Sequence, residues 1–141
     1  MENQGLNPKE MLEMFTIKVS SKSNIEDVVS KIPNTCETYN FSLLKEYNYH
    51  EILDSKGFPI KRKVFIYEVC QAKMASKILT SNPEFSIFMP CKISVYEQGN
   101  NTIISIMNME IMLKIFEENK EIYEEATSLF ESLKKLINSL K

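Results

Sequence analysis

Two segments, Val64-Phe-Ile-Tyr-Glu-Val-Cys70 and Met89-Pro-Cys-Lys-Ile-Ser-Val-Tyr96, decide how this chain can fold. Both are rich in β-branched and aromatic residues, which favour strands. About twenty residues of predicted helix and turn separate them. If the two strands are antiparallel neighbours, Cys70 and Cys91 lie at the same end of one sheet. The pair is then either a reactive or ligand-binding site, or two small residues in a tight core.

The flanking sequence predicts an α+β fold. Apolar–polar alternation and β-branched runs indicate strands at 14–19, 41–47, 63–69, 92–97 and 102–107. Apolar residues at helical spacing indicate helices after Ser23, at 49–56, at 73–80 and from Asn108 onward, with Asn119 capping a long last helix. The segment 84–89 is predicted to be a short strand or irregular. Hairpins and isolated helices together predict an antiparallel sheet of about four or five strands with helices packed on one face.

Short motifs predict where the helices begin and end. Ser23 and Glu26 have the spacing of a capping box, in which each side chain bonds the backbone amide of the other residue. Pro33 has no amide donor, so we expect it to end or kink that helix. Gly57 should stop the short helix that precedes it. Gly99 can supply the positive φ of a tight hairpin turn.

Composition excludes several classes of protein. The length of 141 residues suits one domain, and 43% hydrophobic with 26% charged residues excludes a disordered or fibrous protein. The formal net charge is −2, and the one dense basic run is Lys61-Arg62-Lys63. Nucleic-acid binding usually needs a basic patch or stripe. We therefore expect no nucleic-acid partner.

The sequence also bears on domain limits and location. Residues 1–12 are polar and predict a tail or loose helix, which leaves 13–141 as a single α+β domain. No secretion signal is evident, and no run approaches the ~18 apolar residues of a membrane span. Cys36, Cys70 and Cys91 lack a metal-type spacing. We therefore expect free thiols, a cytoplasmic location and no membrane partner.

One pattern is shared with a known family: Tyr67-Glu-Val-Cys70, Ala75, Leu79, Pro83, Met89-Pro-Cys91, Ile93 and Val95-Tyr-Glu97. With these residues the segment from about 41 to 113 resembles the bacterial and archaeal family catalogued as domain of unknown function 302. The family usually carries Asn-Pro after its first cysteine, where this chain has Gln71-Ala72. The resemblance implies a compact domain of the TATA-box-binding-protein architecture, often a homodimer, with no established activity.

The two thiols are the leading candidate site. Cys70 ends a strand shortly before a predicted helix, and a helix N-terminus can lower the pKa of a thiol and make it nucleophilic. Together with Cys91, which follows Pro90, it could cycle through a disulfide, carry sulfur as a persulfide, or hold a soft metal with a third ligand. The alternative is that both cysteines are small core residues, as buried cysteines usually are. We expect a structural role for Cys36.

Two further side chains could take part in chemistry. His50 is the single histidine of the chain and would be a useful base beside a reactive cysteine. A metal site built from Cys70, Cys91 and His50 matches no standard zinc spacing, so no metal is expected. Glu68 lies on a predicted strand, where it could do acid–base work or pair with a lysine.

Aromatic and thioether side chains suggest surfaces rather than reactions. Tyr67 and Tyr96 are predicted to lie on the sheet face that the helices leave uncovered, where exposed aromatic side chains would form a dimer interface. Met107, Met109 and Met112 surround the last strand–helix junction. Their spacing favours core packing over a copper or ligand site.

Two functional hypotheses follow. The first is a homodimeric module that binds a small molecule or a partner, without catalysis and without a cofactor. The alternative is a thiol-based redox or sulfur-handling protein that uses Cys70 and Cys91. No catalytic constellation is evident in the sequence, which favours the first.

Overall fold

The computed structural model describes residues 5–141 and has the predicted α+β fold. Its strands are β1 (Thr16–Ser21), β2 (Ser42–Asn48), β3 (Val64–Cys70), β4 (Cys91–Gln98) and β5 (Asn101–Met107). They form one antiparallel sheet in the order β1-β5-β4-β3-β2. The prediction of four or five antiparallel strands is therefore confirmed.

Six α-helices and two 3₁₀ helices accompany this sheet in the described part of the chain. They are α1 (Pro8–Phe15), α2 (Ile25–Thr38), α3 (Tyr49–Ser55), α4 (Ala72–Ser81), α5 (Glu110–Leu113) and α6 (Lys120–Ser139), with 3₁₀ helices at Pro83–Phe88 and Lys114–Phe116. The inner face of the sheet packs against α2 and α6, and α4 packs against α6. Asn119 caps α6 as predicted, because its side chain accepts from the amide of Ile122. The core lies between the sheet and these helices.

The pairing of β3 with β4 brings the two thiols to one end of the sheet. The strands are antiparallel neighbours, and Val69 is the direct partner of Cys91. Cys70, the last residue of β3, therefore lies beside Pro90. Side chains alternate between the faces of a sheet, so Cys91 begins on the inner face together with Val69. Both cysteines therefore lie at the same end of the sheet, as expected for antiparallel neighbours, although the alternation starts Cys70 on the opposite face from Cys91.

Helix α1 replaces the beginning of the predicted first strand. Asn7 caps the helix by accepting from the amide of Glu10, and the helix runs to Phe15. The strand prediction at 14–19 was therefore two residues early, and Phe15 is exposed instead of buried. Residues 1–4 of the predicted tail lie outside the described residues. The division at residues 12 and 13 stays a prediction.

The predicted cap of α2 was one residue early, and Pro33 does not end the helix. The cap is Asn24, one residue after Ser23, and its side chain accepts from the amide of Asp27 at 2.9 Å. Pro33 lies within the helix, which continues to Thr38. An interior proline costs about 3 kcal/mol or more. The buried stripe Ile25, Val28, Ile32 and Cys36 offsets this, because each buried aliphatic side chain contributes about 1.5–3 kcal/mol.

The predicted exposure of Tyr67 was also wrong. Tyr67 is 0% exposed because the register places it on the inner face, opposite Ile93. Tyr96 pairs with Val64 and Ile103 and lies half-buried on the outer face. The two tyrosines are therefore on opposite faces of the sheet. The prediction assigned the residues of β3 to the wrong faces of the sheet. Apolar side chains lie on both faces of this strand, so the pattern does not show which face is buried.

Burial leaves the Tyr67 hydroxyl with no acceptor in full hydrogen-bond geometry among the described residues. Burial raises the pKa of this phenol, and hydrogen bonding to the carboxylate of its cross-strand partner Glu46 raises it further, although the two groups do not reach full hydrogen-bond geometry. A buried polar group without a partner costs about 1–3 kcal/mol. The hydroxyl therefore opposes folding at this position.

Tyr67→Phe should consequently stabilise the protein. We expect the free energy of unfolding in urea to rise by about 1 kcal/mol, since the ring is kept and the unpartnered hydroxyl is lost. Tyr96→Phe is the matched control on the outer face and should change it by less than about 0.5 kcal/mol. Destabilisation by Tyr67→Phe would contradict the assignment and show that the hydroxyl is hydrogen-bonded in solution.

Candidate functional site

A cavity of about 430 Å³ opens at the end of the sheet where β3 ends and β4 begins. Both Cys70 and Cys91 line it, and each is half-buried. We call it the sheet-end cavity. Its walls come from α4, the 3₁₀ helix Pro83–Phe88, the segment around α5, and α6.

Helix α4 forms one wall because it starts directly after β3. Gln71 is its N-cap residue, but the side chain makes no capping hydrogen bond. The side-chain amide nitrogen donates instead to the backbone oxygen of Tyr39 at 3.4 Å. Met74 and Ile78 form the buried stripe of α4 and line the cavity. The helix thus supplies an apolar wall although Gln71-Ala72 stands where Asn-Pro was expected.

Ion pairs hold α4 against α6. The Lys77 ammonium lies 2.6 Å from a carboxylate oxygen of Glu125 and 3.1 Å from one of Glu121. Hydrogen bonds to Glu125 and then Glu121 raise the pKa of Lys77. Solvent screens exposed pairs of this kind, so each contributes little to stability by itself. They fix the position of α4 on the outside while the side facing the cavity stays apolar.

The 3₁₀ helix Pro83–Phe88 forms the opposite wall, in the segment that was predicted to be a short strand or irregular. Phe85 is buried, and its ring centroid lies 5.0 Å from that of Phe88 and 4.9 Å from that of Phe116. Such tilted aromatic pairs contribute about 0.5–1.5 kcal/mol beyond the burial of their area. Ile87, also in this wall, is 81% exposed. The wall is therefore firmly packed behind Phe85 and open to solvent in front.

The lining is apolar and rich in thioethers. Five of the eight methionines of the chain contribute to it: Met74, Met89, Met107, Met109 and Met112. Among the described residues that line the cavity, Lys92 is the only one with a charged side chain. Lys92 is exposed and is absent from the ion pairs found in residues 5–141. The cavity therefore combines an apolar interior with one positive charge.

The environment of Cys91 keeps its thiol protonated at neutral pH. Burial raises the pKa of Cys91 to about 11, the charge of Cys70 adds to this, and Lys92 opposes it. Because the folded value exceeds the ordinary value of 9.0, the neutral thiol stabilises the fold below about pH 9. That stabilisation is lost as the pH rises through about 11. Cys36 lies apart in the core, where burial also raises its pKa.

His50 lies far from the two thiols. Its Nδ1 accepts a hydrogen bond from the amide of Val64 at 2.9 Å, at the beginning of β3. Six residues of rise, about 3.3 Å each, separate Val64 from Cys70, which is about 20 Å. The ring also packs edge-on against Phe65, with centroids 5.2 Å apart. The structure therefore does not bring His50 together with Cys70 and Cys91, as a catalytic base or as a metal ligand.

Glu68 and Tyr96 also lie outside the cavity lining. Glu68 accepts a hydrogen bond of 2.9 Å from the Tyr47 hydroxyl and stands opposite Lys92 and Lys45 in the neighbouring strands. The bond to Glu68 raises the pKa of the Tyr47 phenol. The side chains of Glu68 and Tyr96 therefore lie on the outer face of the sheet. Within residues 5–141, no group of three or more His, Cys, Asp or Glu side chains could hold a metal ion.

Sequence reasoning missed two parts of the site. Lys92 was considered only as a partner for a strand carboxylate, and the segment 84–89 was predicted to be a short strand or irregular, whereas Pro83–Phe88 is a 3₁₀ helix. Met109 and Met112 pack against the core as expected, whereas Met107 is 49% exposed, and all three also line the cavity. The signal available was the apolar run Phe85-Ser-Ile-Phe-Met89, which is too short for a core helix and too apolar for a surface loop.

Comparison with known proteins agrees with this fold. Across residues 5–141 no helix is long and apolar enough to cross a membrane. No curated protein matches the chain at a significant level. A solved structure described as the uncharacterized conserved protein DUF302 from Bacillus stearothermophilus superposes with a TM-score of 0.79. The two chains are 21% identical, and the match covers 91% of this chain and 99% of the other.

A family model supplies the assignment. The model described as domain of unknown function DUF302 matches residues 17–140, which includes every strand except the first residue of β1, and also α2 to α6. The matched range contains both cysteines of the sheet-end cavity and Lys92. The chain therefore belongs to the family of domain of unknown function DUF302.

Proposed function

We propose that this protein is a non-catalytic binding module that holds a small apolar molecule in the sheet-end cavity. The observation that carries the proposal is the cavity itself, about 430 Å³ with an apolar lining. Cavities that take small ligands are typically about 300–1,000 Å³, with mostly apolar walls and a few polar groups. The sheet-end cavity has this size and character.

The opening of the cavity supports entry of a ligand. Ile87, Leu44 and Phe88 line the cavity and remain exposed. Contiguous exposed apolar side chains are costly in water and commonly mark a binding surface. A bound apolar molecule would remove this surface from water, at roughly 25 cal/mol for each Å² buried.

The groups around the cavity support binding rather than acid–base catalysis. Among the described lining residues there is neither a carboxylate nor an imidazole, and these groups perform most proton transfers in enzymes. Lys92 and the thiols are the titratable groups present. The protein would work in the cytoplasm, where its three unpaired cysteines would remain reduced.

Filling the cavity should abolish binding. Ala75 is half-buried in the lining, so Ala75→Phe should occupy the space that a ligand needs. We expect wild-type protein to bind the neutral fluorophore N-phenyl-1-naphthylamine saturably, and Ala75→Phe to weaken binding at least about tenfold. The measurement is a fluorescence titration.

The control comes from the same helix. Ala72 is exposed and lies outside the lining, so Ala72→Phe should leave the affinity unchanged. Ala75→Phe should unfold in urea at or above the wild-type midpoint, since filling a cavity commonly stabilises a fold. Ala72→Phe, which is on the surface, should change the free energy of unfolding by less than about 0.5 kcal/mol. Absence of saturable binding, or equal binding by Ala75→Phe and wild type, would refute the proposal.

A thiol mechanism is the second candidate because Cys70 and Cys91 line the same cavity. The raised pKa of Cys91 counts against it, since the shift from 9.0 to about 11 lowers the thiolate fraction at neutral pH about 100-fold.

A variant with Cys36→Ala and Cys70→Ala leaves Cys91 as the single thiol. We expect its alkylation by iodoacetamide at pH 7 to be about 100-fold slower in folded than in urea-unfolded protein.

The pH profile provides the second readout. Mass spectrometry should show alkylation of Cys91 rising about tenfold per pH unit up to about pH 11. The reciprocal variant, with Cys36→Ala and Cys91→Ala, measures Cys70 under the same conditions. The thiol mechanism is favoured over simple binding by either of two results at pH 7. In one, Cys91 reacts as fast in the folded protein as in the unfolded chain. In the other, Cys70 reacts faster in the folded protein than in the unfolded chain.

We further propose that two copies associate through the outer face of the sheet. Helices cover the inner face, and the outer face carries half-buried Ile66 and Tyr96 beside polar side chains. A mixed apolar and polar surface with an aromatic anchor is typical of an interface. Tyr67, which was predicted to share this role, is buried in the core and cannot contribute.

The dimer is tested by light scattering at micromolar concentration. We expect a dimer for wild type and a monomer for Tyr96→Glu, because a buried unpaired charge would be placed in the interface. Tyr123→Glu on α6, where Tyr123 is exposed, is the control and should remain dimeric. A monomeric wild-type protein would rule out the interface, and circular dichroism would verify that both variants are folded.

A further inference from the structure

We infer that the ligand of the sheet-end cavity is a single-chain amphiphilic carboxylate, of the fatty-acid type, with its carboxylate at Lys92 and its alkyl chain among the methionines. The inference rests on the proposed binding function and names its ligand class. It is carried by the combination of one unpaired cation at the opening with a deep apolar, flexible lining. Neither feature alone selects this chemistry.

Lys92 lies where the head group of such a ligand would lie. It is the second residue of β4, and its side chain starts on the outer face beside Glu68, at the end of the sheet, where it is exposed and lines the edge of the cavity. A lysine stem can lie along apolar surface while its ammonium remains in water. The head group would therefore stay hydrated at the opening, which avoids the cost of burying a charge.

The cross-strand carboxylate of Glu68 forms no ion pair with Lys92. Glu68 is its cross-strand partner, but the carboxylate of Glu68 accepts the hydrogen bond from Tyr47. No ion pair in residues 5–141 includes Lys92. Gln71, the one amide-bearing side chain among the described lining residues, donates to the backbone oxygen of Tyr39. The ammonium of Lys92 is thus available to an anionic ligand.

The flexible lining of the sheet-end cavity favours a ligand with an alkyl chain over a rigid ligand. The thioethers of Met74, Met89, Met109 and Met112 are unbranched, polarizable side chains with several rotatable bonds. Such side chains adapt to irregular apolar shapes without polar contacts. The polar side chains of the described lining are Lys92, Gln71 and the two thiols. A ligand with hydrogen-bonding groups along its length would leave those groups unpaired, which disfavours it.

The test compares ligands that differ only in the head group. Decanoate and decanol, both below the concentration at which they form micelles, would compete with N-phenyl-1-naphthylamine in wild-type protein. We expect decanoate to bind about fivefold more tightly, the upper range for a solvent-exposed ion pair. The preference should shrink in high salt because exposed charges are screened.

Variants assign the preference to one side chain. Lys92→Gln should abolish it while leaving decanol affinity unchanged, and Lys92→Arg should retain it. Lys73 on α4 is exposed and lies outside the lining. Lys73→Gln therefore makes the same change in net charge and should retain the preference for decanoate over decanol.

The outcomes separate this inference from the proposed function. Equal binding of decanoate and decanol, or equal weakening of both by Lys92→Gln, would overturn the carboxylate assignment and leave apolar binding intact. Failure of both ligands to displace the fluorophore from a protein that binds it would exclude an alkyl ligand. Failure of the fluorophore itself to bind would overturn the proposed function together with this inference.

Discussion

The antiparallel register of β3 and β4 is the constraint on which the rest of the structure depends. Pairing Val69 with Cys91 determines which side chains face the helices and which thiols meet at the end of the sheet. A shift of one residue would move every side chain of a strand to the other face. Tyr67, Ile93 and Val95 would then be exposed instead of buried. The register is strongly specified because the middle of the inner face is buried, with Tyr67, Val69, Ile93 and Val95 all 0% exposed.

The sheet-end cavity follows from how the helices share that inner face. Helices α2 and α6 pack on the sheet, whereas α4 packs mainly on α6 and the 3₁₀ helix Pro83–Phe88. The space beneath α4 is therefore left open at the end of the sheet. At about 24 cal/mol for each Å³, an empty void of 430 Å³ would cost about 10 kcal/mol, as much as the whole stability of many domains. An opening to solvent avoids most of this cost, and a bound apolar ligand would remove the remainder.

The sequence was informative where local pattern and tertiary structure agree. Alternation and β-branched residues predicted all five strands, and the antiparallel pairing then placed Cys70 near Cys91. The prediction at Pro33 failed because local chemistry disfavours a helix there, while burial of Ile32 and Cys36 against the sheet is worth more. The cavity itself was not predictable from pattern, because a methionine that lines a cavity and one that fills a core have the same spacing. His50, a secondary candidate in the sequence, lies at the beginning of β3 while the thiols lie at its end, and proximity to a strand does not reveal which end of it a residue occupies.

Ligand binding and thiol chemistry make opposite demands on this site. The apolar walls that would hold an alkyl chain also desolvate Cys91 and raise its pKa to about 11. A bound apolar molecule would exclude more water, and desolvation of a thiol disfavours the thiolate further. The same lining therefore cannot favour an occupied cavity and a reactive Cys91 at neutral pH. Lys92 opposes the shift only in part, since its charge lowers the pKa of Cys91 less than burial raises it. If the proposed binding function holds, the cysteines would serve as small, polarizable lining residues, and the charge of Lys92 would face solvent and an anionic ligand at the opening.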